Sequence, residues 1–88
     1  MNNPTSKIEE METLLLTWKN QIESPDGAYI QIKDIILELM NERSLEHISD
    51  NLIDINWHIN RAYQGENRHL LIARDKVRAL KGMFLVPA

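Results

Sequence analysis

Three histidines, His47, His58 and His69, recur at intervals of eleven residues, and the middle one lies in the stretch DINWHINR beside Asp54, Trp57 and Arg61. Imidazole and carboxylate groups at such spacing can hold a metal, move a proton or rim a binding surface. Eleven residues make almost three helical turns, so His47 and His58 share a helix face. At 1.5 Å per residue they are separated by about 16 Å along the axis. One ion cannot bridge that gap. Asp54 and His58 stand four residues apart and are expected to meet, as two ligands or as a carboxylate that orients an imidazole. Further ligands would have to come from another helix, and the formal candidate is ENRH, Glu66 to His69. Di-metal bundles use that E-x-x-H pattern twice with two more inward glutamates. Here it occurs once and straddles a predicted helix start. The expectation is no metal and no cofactor, with Asp54 and His58 as a local pair on a polar face.

Other chemistries find less material. With no cysteine among 88 residues, thiol catalysis, disulfides and cysteine-held metals are excluded. Ser6, Ser24, Ser44 and Ser49 read as caps and turn residues, lacking the base and oxyanion hole that a serine nucleophile needs. Three isolated glycines form no phosphate loop. The carboxylates fall on predicted solvent faces, where nothing moves their pKa toward neutrality. The chain is expected not to be an enzyme.

The elements that must position these residues are helices. Ser6 and Glu9 fit a capping box, with Glu9, Glu10 and Glu12 near the positive end of the helix dipole. Apolar residues then fall at Ile8, Met11, Leu15, Trp18 and Ile22 in +3, +4 alternation. The stretch SPDG, Ser24 to Gly27, predicts a tight turn. Tyr29, Ile32, Ile36 and Leu39 form a second seam, and Leu45, Ile48, Leu52, Ile55, Ile59 and Ala62 a third. The second rhythm predicts apolar residues at 43 and 46, where Arg43 and Glu46 stand. That change of phase places a break in NERS with Ser44 as its cap, although no Gly or Pro enforces it and one long continuous helix is the alternative. Gly65 reads as a helix stop. Leu70, Ala73, Val77, Leu80 and Phe84 make a fourth seam, ended by Gly82 and followed by a tail that Pro87 keeps non-helical.

Four such helices, over about residues 7–23, 28–42, 45–64 and 68–82, predict an all-α, up-down-up-down antiparallel four-helix bundle. One domain spans 1–88, with short flexible ends at 1–5 and 84–88. No apolar run approaches the ~18–20 residues that span a bilayer. The polar, acidic start lacks the marks of a signal peptide, so a soluble cytoplasmic protein is expected.

Some apolar residues are left over by the four seams. Ile53 and Trp57 are i, i+4 neighbours, with Trp57 turned almost opposite the third seam; Ile30 and Leu37 lie off the second. Leu16, Leu71 and Ile72 are further examples. Either helices 2 and 3 are buried over a wide arc, or Ile30, Leu37, Ile53 and Trp57 form a patch for a protein partner or self-association. In the second reading His58 and Arg61, with Asp54, form its polar rim, and His58 tunes binding near pH 6.5. Charge supplies another surface. Residues 1–44 hold eight acids against four bases, whereas 66–88 hold five bases against two acids. Arg74, Arg78 and Lys81 lie within about 60° of one another on a helix of 100° per residue, as a solvated stripe or a dock for an acidic partner. Nucleic-acid binding through helices 2 and 3 is the rival. Glu46 and Asp50 argue against it, because a recognition helix presents its first turns to a polyanion.

The general plan resembles that of the small cytoplasmic helical bundles that serve as toxin or bacteriocin immunity proteins, inhibitors and adaptor subunits. The resemblance is one of size and architecture. It implies a non-enzymatic protein-interaction module; a small nucleic-acid-binding or transcriptional regulator is the alternative.

Overall fold

A computed structural model describes residues 4–20 and 26–85. The helices are α1 (Pro4–Asn20), α2 (Asp26–Met40), α3 (Ser49–Tyr63) and α4 (Arg68–Leu85), with a 3-10 segment, Arg43–Ile48, between α2 and α3. The chain is thus a small all-α four-helix bundle.

α1 begins earlier than the Ser6–Glu9 capping box requires. Pro4 opens it, a residue whose fixed dihedral and missing N–H suit the first helical position. Ser6 stands exposed within the first turns. α4 runs through Gly82 to Leu85 instead of stopping, so residues 4–5 and 84–85 of the expected ends are helical. Ile22, Ser24, Pro25 and Pro87 lie outside the described residues; Asp26 and Gly27 of the expected turn form the first turn of α2.

The predicted break is present, with a different form. Glu42 is extended (φ −88°, ψ 116°), and its carbonyl accepts from the Leu45 amide at 3.0 Å. Ser44 lies inside the 3-10 turns and caps nothing. Three residues per turn stack Leu45 and Ile48 on one line, and both are buried, so the corner itself closes one end of the core. α3 consequently starts at Ser49, four residues later than the seam suggested.

The stop at Gly65 is as expected. Gly65, at φ 111°, donates to Ala62 at 3.0 Å while Glu66 donates to Arg61 at 3.1 Å. Those two bonds are the paired links of a Schellman motif, which requires a residue tolerant of positive φ.

Side-chain pairings set the direction of each helix. Lys7 meets Glu38 and Trp18 meets Tyr29, so α1 and α2 are antiparallel. The Tyr63 hydroxyl donates to Asp26 at 2.7 Å and that of Tyr29 to Asn60, which sets α3 against α2. His58 meets His69 and Asp54 meets Lys76, which sets α4 against α3. α4 closes the ring against α1. All four seams turn inward, with Ile8, Met11, Ile32, Ile48, Leu52, Ile55, Ile59, Ala73 and Val77 fully buried. α2 and α3 pack least closely of the four neighbouring pairs, because the 3-10 corner intervenes at one end. Their other end is tied by stacking of Tyr29 on Tyr63 at 4.0 Å, with Trp18 edge-on to both.

Candidate interaction surface

The core leaves aside the apolar residues that the seams did not explain. Ile30 is 56% exposed, Leu37 57%, Ile53 52% and Trp57 50%. Burial over a wide arc does not describe them. On α2, Ile30 and Leu37 point away from the buried line of Ala28, Ile32, Ile35 and Leu39; on α3, Trp57 points away from Leu52, Ile55 and Ile59. The antiparallel register fixed by Tyr29–Asn60 and Asp26–Tyr63, carried toward the 3-10 corner, brings Leu37 level with Ile53. Met40, also exposed, lies one turn of α2 beyond. The periodicity argument missed Met40, which an eye for its place one turn after Leu37 would have found.

Trp57 is exposed yet held. Arg61, one turn on, places its guanidinium over the indole at 5.0 Å from the ring centre. On another side the indole stands edge-on to His58 at 5.0 Å and to His69 at 5.5 Å. Arg61 is held in turn by Glu66 at 3.5 Å. The expected rim residues are therefore a brace for the tryptophan.

The histidines meet in a way that the sequence did not announce. His58 Nδ1 and His69 Nδ1 are 2.8 Å apart, and the rings stack with centres at 5.1 Å. His69 is buried and the side chain of His58 nearly so. One ring must carry the hydrogen and the other the lone pair. Sequence spacing gave no direct signal: His58 lies seven residues before the turn glycine Gly65 and His69 only four after it, so the two are not equidistant from the turn. The Asp54–His58 pair is present as a longer contact, Oδ1 to Nε2 at 3.6 Å. Lys76 of α4 takes the other oxygen of Asp54 at 2.6 Å. Burial, with the nearby His69 and Lys76, holds the His58 imidazole below its ordinary pKa against the pull of Asp54.

His47 stands apart, beside Phe84 at 6.3 Å between ring centres. Glu66 of the E-x-x-H pattern turns to Arg61. Among the described residues no three histidine or acidic side chains converge as metal ligands.

The basic stripe has its partner inside the molecule. Arg78 Nε and Lys81 Nζ each donate to Glu12 of α1 at 2.7 Å. Arg74 lies 3.6 Å from Asp75. Arg78 remains exposed and Lys81 partly so, and both also join α4 to α1 through Glu12.

Fold and surface together define a four-helix bundle with unburied apolar residues on the outer faces of α2 and α3, the tryptophan among them braced against His69 of α4. Comparison with protein-family models, curated proteins and solved structures finds no match to this chain. No helix among the described residues is long and apolar enough to cross a membrane.

Proposed function

We propose that this chain is a non-enzymatic protein-interaction module, of the inhibitor, immunity or adaptor kind. It grips a partner helix or a second copy of itself through Ile30, Leu37, Ile53 and Trp57. The observation that carries this reading is the state of Trp57: half in solvent, outside the core, yet fixed by Arg61 and two imidazoles. A large side chain already ordered before binding loses little entropy on contact, which is what makes a tryptophan a strong anchor. His58 and Arg61 belong to the same surface as its brace. Arg78 and Lys81, engaged by Glu12, have less to offer an acidic partner or a nucleic acid. Exposed Glu46 in the 3-10 segment and Asp50 in the first turn of α3 likewise disfavour a helix that reads DNA.

The test is the double substitution Trp57→Ala and Ile53→Ala. It is expected to weaken association by tenfold or more, with far-UV circular dichroism unchanged, because exposed contacts carry little folding energy. Association is read by light scattering for self-assembly and by affinity capture for a partner. Retained association by the double variant, or its cooperative unfolding at much lower temperature, overturns the reading.

A further inference from the structure

The two imidazoles share one line of contact, and their possible protonation states can be counted. Two neutral rings carry two hydrogens on four nitrogens, one of them between Nδ1 and Nδ1 at 2.8 Å. A first added proton goes to an outer nitrogen, and the N–H···N bond survives. A second must take the one lone pair left, which is the acceptor of that bond. Two N–H groups then face each other across the same gap, on two stacked cations.

The surroundings offer no compensation for a second charge. On α3, Asp54 favours protonation of His58, but its other oxygen is held by Lys76 of α4, and Arg61 lies one turn away over Trp57. In the α3–α4 connection Glu66 is drawn to Arg61, and Arg68 beside His69 is exposed. Cations and anions thus roughly balance before either histidine is charged. The seam residues beneath, Ile55, Ile59, Leu70 and Ala73, are packed, so α3 and α4 cannot part to relieve the repulsion. A side chain must move instead. Trp57 rests edge-on against both rings, so any separation removes one of its supports.

We propose that His58 and His69 form a proton-operated latch on the Trp57 surface: holding at most one extra proton it fixes the indole against α4, and the second proton parts the rings and frees it. Acid then lowers the preorganisation of the anchor and weakens whatever grips it. That consequence rests on Trp57 being an anchor; the latch itself does not.

The experiment is a pH titration of the full chain from 8 to 4.5 by NMR, following the imidazole C–H signals and the two indole N–H signals. The His58 and His69 signals are expected to respond jointly in two steps, the first leaving the N–H···N contact in place and the second breaking it. The Trp57 indole should move with the second step, whereas that of Trp18, buried at the aromatic end, should not. In His69→Gln, His58 should titrate in one step and the Trp57 response should disappear. If that variant does not fold, His58→Gln makes the same demand with His69 titrating alone. Independent single-step curves for the wild-type pair overturn the proposal. So does a Trp57 signal indifferent to the second step, or a response that persists in the glutamine variant. No partner is present in this measurement, so the latch and the interaction surface can fail separately.

Discussion

Glu12 shows how much a single residue decides once the neighbouring helix is known. Its two oxygens receive Arg78 and Lys81, so the strongest cluster of positive charge in the sequence becomes a clamp between α1 and α4. Hydrogen bonds from Lys81 and Arg78 hold its carboxyl below the ordinary carboxylate range. A depressed carboxyl pKa contributes stability that is whole above the unfolded value and fades as pH falls through the folded one. Glu12→Gln is therefore expected to cost about 1 kcal/mol at pH 7, since the charge-assisted bonds are lost while one acceptor remains. The cost should be smaller at pH 3 than at pH 7, because protonation removes the charge that glutamine also lacks. Urea unfolding of both forms at the two pH values measures it, and equal stabilities at pH 7 would show the clamp to be worthless. The stripe of Arg74, Arg78 and Lys81 was legible as a stripe. Its partner was not, because angles on one wheel say nothing of the helix across the way.

At the scale of the element, what was legible had a periodic cause. Seam positions followed from +3, +4 spacing, and almost every seam residue described is buried. The break after α2 followed from Arg43 and Glu46 standing out of phase. Ends were harder, because they depend on single residues with two roles. Ser6 had a capping pattern, yet Pro4 offered an earlier start. Gly82 had the type of a stop, yet Gly65 alone among the glycines adopts a positive φ. That difference is testable by one substitution made twice. At Gly82 an added Cβ meets nothing within 4 Å and the backbone is helical, so Gly82→Ala should stabilise by roughly 0.5–1 kcal/mol. At Gly65 there is equal space but φ is 111°, so Gly65→Ala should destabilise by about 1 kcal/mol or more. Thermal unfolding of the two variants should move in opposite directions. Movement in the same direction would mean that α4 frays at Gly82 or that the turn rearranges freely.

For the whole molecule the question is how four helices divide their apolar residues between the fold and the outside. A ring of four seams encloses one core, and each helix has only one line that faces it. α2 and α3 each carry further apolar residues outside that line, Ile30 and Leu37 on one and Ile53 and Trp57 on the other. The sequence left open whether those residues were core, because a wheel for an isolated helix cannot tell a wide buried arc from a narrow one with an exposed patch. Ile53 and Ile55 put the division in its simplest form: the same residue type, on the same helix, two positions apart, 52% and 0% exposed. Ile55→Ala empties a site between packed neighbours and should cost ~2–5 kcal/mol, a large share of the ~5–15 kcal/mol typical of a domain. Ile53→Ala removes contacts mostly with water and should change stability by no more than about 0.5 kcal/mol. If an association is present, the ranking should invert: Ile53→Ala weakens it, while Ile55→Ala acts only through the fraction folded. Denaturant midpoints and association constants for the two variants provide both rankings. Equal destabilisation by the two would place Ile53 in the core and remove the apolar face from which the interaction is argued.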